Sequence, residues 1–144
     1  MEVQNLANHR RIIPMFHAVL FLTLVLSFIG SIVNLVKSWD DHQRLYSAAL
    51  LVVVFVCLLL IFYFMRAFPL RAQDRAIRAE ENLRYYVMTG KLLDPRLTIR
   101  QIIGLRFAGD DEFAALAKRA ADENLSEDDI KKAVKNWRGD YHRV

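Results

Sequence analysis

LYSAALLVVVFVCLLLIFYFMRAFPLRAQDRAIRAEENLRYYVMTG, residues 45–90, decides how this chain folds. Its first part, Leu45 to Met65, carries no Asp, Glu, Lys or Arg; its second part is rich in arginine. Helical geometry makes both parts one long element that begins in an apolar medium and ends in water. A strand is open to the Leu, Val and Phe content, but an open strand in lipid leaves its backbone groups unpaired.

Upstream, Ile12 to Val36 is a second run without a formal charge. At about 1.5 Å per residue, 25 residues reach roughly 37 Å, enough for a tilted crossing of a hydrocarbon core. The run is too long for the apolar part of a signal peptide, and no small-residue cleavage pattern follows it. The expectation is an uncleaved anchor. The link at residues 37–44 is short and nearly neutral, with Trp39 and Tyr46 suited to a headgroup layer. The two runs therefore form an antiparallel hairpin, with spans 12–36 and 45–68 inside a unit 12–68. Residues 1–11 are a polar lead.

Basic residues orient the hairpin. Arg10, Arg11, Arg66, Arg71, Arg75 and Arg78 lie at one end, and only Lys37 and Arg44 at the other. By the positive-inside rule both termini are cytoplasmic. The chain's formal charge of +4 is modest, but its placement is uneven. Residues 66–106 hold nine Lys/Arg against four Asp/Glu, and residues 107–144 hold seven against nine. A basic band beside the membrane attracts anionic headgroups; a nucleic-acid binder would carry its excess on the folded module.

Within the first span Thr23, Ser27, Gly30, Ser31 and Asn34 recur at spacings of three and four, the pattern of a close helix–helix seam. Equal depth in the hairpin pairs residues whose numbers add to about 81, by the rise shared by the two helices. That places His17, the one ionisable group well inside a span, beside Tyr63 or Phe64. A neutral imidazole bonded to the Tyr63 hydroxyl is the expected intramembrane polar pair. No second histidine at similar depth offers a ligand set. Cys57 is the single cysteine, so no disulfide framework exists within the chain.

Beyond Phe68-Pro69 comes a juxtamembrane amphipathic helix, residues 69–90. Its apolar stripe is Ala72, Ala76, Ala79, Leu83, Tyr86 and Val87, expected to be covered by the distal module or by another copy. Arg71, Arg75 and Arg78 form a stripe beside it, a contact surface for lipid headgroups or a partner. Asp74 to Arg78 and Glu80 to Arg84 are spaced as i,i+4 pairs. Gly90 is a natural end to the helix.

Residues 91–144 read as a module of three short helices. Thr98-x-x-Gln101 is a capping-box pattern. Gly109-Asp110 separates the first two helices, and Asn124 ends the second. Ser126 opens a third that runs to Gly139, with Ile130, Val134 and Trp137 inward. About 45 residues make a marginal core, so the module is expected to pack on the preceding helix. The acidic runs Asp110-Asp111-Glu112 and Glu127-Asp128-Asp129 fall in first helical turns, where the dipole favours them. They lack the alternating ligands and mid-loop glycine of a calcium loop. An acidic first turn also opposes DNA phosphate. No metal site, cofactor motif or catalytic residue is identified.

The stretches Asn8-His9-Arg10-Arg11, QDRAIRAEENLR (residues 73–84), TGKLLDPRLT (89–98) and RQIIGLRFA (100–108) resemble a family of small bacterial membrane proteins. That family is catalogued as a domain of unknown function, and the resemblance covers nearly the whole chain. It implies two spans in the bacterial cytoplasmic (inner) membrane and supplies no catalytic residue, substrate or cofactor. Some members carry the label of transporter permease. The expectation is thus an all-α, non-enzymatic, membrane-anchored interaction module or accessory subunit, as a homo-oligomer or in a larger membrane complex, with no nucleic-acid partner. A small oligomeric transport or channel component is the alternative.

Overall fold

The computed structural model describes residues 4–9 and 12–141, and Arg10 and Arg11, counted above toward orientation, lie outside them. The described chain is all-helical, and residues 91–141 hold three short helices. A π-helical stretch, Met15–Leu20, runs into α1 (Phe21–Lys37). Then come α2 (His42–Thr89), α3 (Ile99–Leu105), α4 (Asp110–Asp122) and α5 (Glu127–Ala133). Two compact units result. One is Ile12–Pro69; the other joins Met1–Arg11 to Leu70–Val144. The division falls inside α2 at Pro69, through which the helix runs on.

In the first unit the helices are long because nothing interrupts them. The stretch Met15–Lys37 and the apolar part of α2 are each long and apolar enough to cross a membrane. The turn between them is tight: Ser38 caps α1 through its N–H to the Asn34 carbonyl at 3.0 Å. The Asp41 carboxylate then accepts from the N–H groups of Gln43 and Arg44, which opens α2. Two hydroxyls of the first run are satisfied within the same run. Thr23 donates to the Val19 carbonyl and Ser31 to the Phe28 carbonyl. The rings of Phe16 and Phe62 stack at 4.5 Å, and Phe21 meets Phe62 at 5.7 Å, so the two runs touch at Phe62. Ser31 and Ala48 are buried, while most large side chains around them are exposed.

The second unit has a water-type core. Leu105, Phe107, Phe113 and Ile130 are its largest fully buried side chains, and Ile77 of α2 joins the cluster around them. Local chemistry sets each boundary. Gly90 takes φ +70° after α2, a conformation that costs a glycine little. Thr98 and Gln101 form the reciprocal capping box of α3. Asn124 adopts φ 48° after α4, and the Ser126 side chain accepts from the Asp129 N–H at the start of α5.

One helix is shorter than the sequence suggests. The last helix ends at Ala133 rather than running to Gly139, and the chain continues extended. The Glu112 carboxylate accepts from the N–H groups of Lys135 (3.0 Å) and Asn136 (2.9 Å), removing donors that would have continued the helix. Trp137 then bridges to Ala108, and the Arg138 N–H donates to the Phe107 carbonyl at 2.8 Å. The acidic first turn of α4 thus organises the C-terminal strap as well as its own helix.

Candidate functional site

The α2 extension, from Leu70 to Thr89, has two faces with opposite fates. Its inner face carries Ile77, Glu81, Arg84 and Tyr85, spaced by four, three and one residues, and these meet the module. Arg84 is the hub. Its guanidinium donates to Glu81 (3.0 Å), to Asp110 (2.6 and 2.8 Å) and to the Ala108 carbonyl (2.7 Å). It also lies 4.2 Å from the centroid of the Phe113 ring. Arg138 approaches the other oxygen of Glu81 at 3.8 Å. The Arg84 hydrogen bonds, and then its charge, hold the Asp110 carboxyl below its ordinary value. Asn82 accepts from the Leu93 N–H at 3.2 Å and ties the Gly90 turn back to the helix.

Two sequence expectations need correction here. Arg84 does not form an i,i+4 pair with Glu80, because the inward contacts with Glu81, Asp110 and Ala108 claim it. No Asp74–Arg78 pair forms among the described residues either. The stripe Ala72, Ala76, Ala79, Leu83, Tyr86 and Val87 is not the face that the module covers. All six are exposed, Leu83 to 64% and Val87 to 76%. Arg71, Arg75 and Arg78 are exposed with them and join no ion pair among the described residues.

In the hairpin unit the proposed seam residues divide. Ser31 is buried and Ser27 half-buried, but Thr23, Gly30 and Asn34 face outward, and nothing lies within 4 Å of a side-chain carbon built on Gly30. The inner face of α1 instead runs through Leu24, Ser27, Phe28, Ser31 and Leu35. The His17–Tyr63 pair is not formed among the described residues. The His17 Nδ1 lies 3.1 Å from both the N–H and the carbonyl of Ile13, and its ring meets Phe16 edge-on. Tyr63 is 61% exposed with its ring against Phe64. Phe62 fills the inward position that the pair would need.

Sequence reading also missed an N-terminal contact. Gln4 and Asp140 bond reciprocally, with the Gln4 amide donating to the Asp140 carbonyl (2.9 Å) and accepting from its N–H (2.7 Å). The His9 ring is buried 5.6 Å from Phe107 and 5.9 Å from Trp137. Six residues carry no periodicity, so only the aromatic chemistry of His9 hinted at a packed role. Beside this contact lies a shallow depression of about 680 Å³, lined by Gln4, Asn5, Gly109, Asp110 and residues 135–138. Its lining is largely engaged: Gln4 with Asp140, Asp110 with Arg84, and the Lys135 and Asn136 N–H groups with Glu112.

The comparisons add a family but no relative of stated activity. A family described as Family of unknown function (DUF6526) matches residues 1–144. No curated protein and no solved structure matches the chain.

Proposed function

The chain belongs to that family of unknown function, and on this premise we propose that it is a membrane-anchored, non-enzymatic interaction module, an accessory subunit of a membrane complex. The observation that carries the reading is the division of labour on the α2 extension. One face is committed to the chain's own module through Ile77 and Arg84, while the opposite face and its three arginines stay open.

The anchor in this reading is the apolar pair of runs, whose large side chains are exposed over most of their length. In water that surface would drive aggregation, and in a hydrocarbon core it is solvated. The bacterial inner membrane, with both ends of the chain in the cytoplasm, fits the distribution of basic residues. Support also comes from the Gln4–Asp140 and His9–Trp137 contacts, since a lead that packs on the tail has to share its side of the bilayer. Arg71, Arg75 and Arg78 then meet anionic headgroups or an acidic partner surface at that boundary.

The test is topology together with capture. A reporter enzyme fused after Val144 is expected to be active only when it reads the cytoplasm. Pull-down of the tagged full chain from native membranes is expected to return a stoichiometric companion or further copies of itself. A C-terminal reporter active only outside the cell, or a solitary monomer after crosslinking, overturns the reading.

A further inference from the structure

We propose that the open face of the α2 extension is a self-association seam, on which a second copy of this chain lies parallel to the first as a short two-stranded coiled coil. The proposal rests on the membrane reading above, because copies inserted in one orientation begin their α2 extensions on the same side of the bilayer. Ala72, Ala76, Ala79, Leu83 and Tyr86 alternate by four and three residues, the spacing of the inward a and d positions of such a coil. All five are exposed. Ile77, Glu81, Arg84 and Tyr85, which hold the chain's own module, fall at the outward b, c and f positions of the same register. The module therefore leaves the seam clear.

Charge identifies the occupant as another copy. Arg75 and Glu80 flank the seam at the g and e positions and are five residues apart. That is the separation at which g of one strand meets e of the next heptad on a parallel partner. Within one helix, residues five apart do not face each other. Both are exposed, and neither joins an ion pair among the described residues. A parallel pair satisfies both copies at once: each Arg75 faces the Glu80 of the second chain. Three alanines let the backbones approach closely at the membrane end, and Leu83 and Tyr86 fill the distal end. Five core positions are few for a coil in water. Confinement of both anchors to one bilayer raises the effective concentration and offsets that deficit.

The experiment uses the full chain in native membranes with Cys57→Ser as background. Single cysteines are introduced by Ala76→Cys, Leu83→Cys and Arg78→Cys, followed by mild oxidation. Disulfide-linked dimer is expected at positions 76 and 83, at about ten times the yield at position 78. Arg75→Glu and Glu80→Arg are each expected to lower the yield from Ala76→Cys several-fold, and the double reversal to restore it. Equal yields at 76 and 78, an adduct dominated by a different protein, or a double reversal no better than either single one overturns the seam. Carbonate washing of the same membranes separates the two ideas. A chain that stays in the pellet without periodic crosslinks sinks the seam alone. A chain that washes off sinks the anchor and the parallel pairing with it.

Discussion

The hairpin unit and the module bury opposite kinds of residue. In the module the fully buried side chains are the large ones, Leu105, Phe107, Phe113 and Ile130. In the hairpin the buried residues are Ser31, Ser38 and Ala48, while Leu26, Val36, Leu60 and Ile61 are each more than half exposed. The contrast is the one that the proposed membrane anchor requires. A core in water is stabilised by removing apolar area, at about 25 cal/mol per Å², so size is rewarded inside. On the membrane reading proposed above, the two helices of the hairpin gain nothing by hiding leucine from a medium as apolar as leucine. They gain from close backbone approach, so small residues go inside. On that reading the same chain obeys two rules, and the boundary between the units falls within α2 at Pro69.

The comparison breaks most sharply at Phe113. It is fully buried, packs edge-on to Tyr85 at 6.0 Å and underlies the Arg84 guanidinium. Phe113→Ala is expected to destabilise the module by about 3–5 kcal/mol, the usual cost of a large aromatic cavity. Leu26→Ala, at a position 67% exposed in the hairpin, is expected to change folded stability by less than about 0.5 kcal/mol. Pulse proteolysis in urea, on the protein held in mild detergent micelles, reads both. Equal losses would erase the distinction between the units.

The reverse substitution sharpens it. Ala48 is 1% exposed, so Ala48→Leu forces the helices of the hairpin apart, at about 1–3 kcal/mol. Val53→Leu, at a position 57% exposed, adds a similar side chain on the outside and is expected to be neutral. An SDS titration of hairpin stability separates the two variants. A hairpin indifferent to Ala48→Leu would mean that small size at this seam has no structural role.

Much of this division is legible in residue order alone, and the failures share one cause. The Thr98–Gln101 box, the Gly90 and Asn124 stops and the Ser126 start all depend on neighbours within four residues. The choice of helix face does not. Counting apolar positions selects Ala72, Ala76, Ala79, Leu83, Tyr86 and Val87 as a face to be covered by the module or by another copy, and does not say which. The module took Ile77, Glu81 and Arg84 instead, with the half-buried Arg84 shared by two carboxylates and lying over the Phe113 ring. Periodicity scores Arg84 as solvent-facing and cannot see partners 24 and 26 residues away. The same blindness carried α5 on to Gly139, past Lys135 and Asn136, whose N–H groups are taken by Glu112 on another helix. In the hairpin, depth matching put His17 near Tyr63, but rotation about the helix axis gave the inward position to Phe62. Depth follows from rise per residue; rotation follows from packing.

The smallest expected effect probes the polar side of the module's interface, which the hairpin lacks. Asp110 is largely exposed, its side chain at 77%, while its partner Arg84 is at 11%. The carboxyl is held below its ordinary value of 3.8, first by the hydrogen bonds from Arg84 and then by that charge. A carboxylate whose folded value is depressed contributes stability above its unfolded value and loses it as pH falls through the folded one. The contribution of Asp110 is therefore present at neutral pH and disappears below about pH 4, near the ordinary value of the group. Solvent screening holds it to about 0.5 kcal/mol, the usual scale for a pair with one exposed member. Asp110→Asn is expected to lower module stability by that amount at pH 7, with the gap to the unsubstituted chain closing below pH 4. Added salt should shrink the gap at pH 7 as well, because an exposed carboxylate is screened within roughly 10 Å at 0.1 M. A gap that persists unchanged at pH 3 would assign the role of Asp110 to its place in the first turn of α4. Arg84 would then be held by Glu81 and the Ala108 carbonyl without electrostatic help from the exposed side.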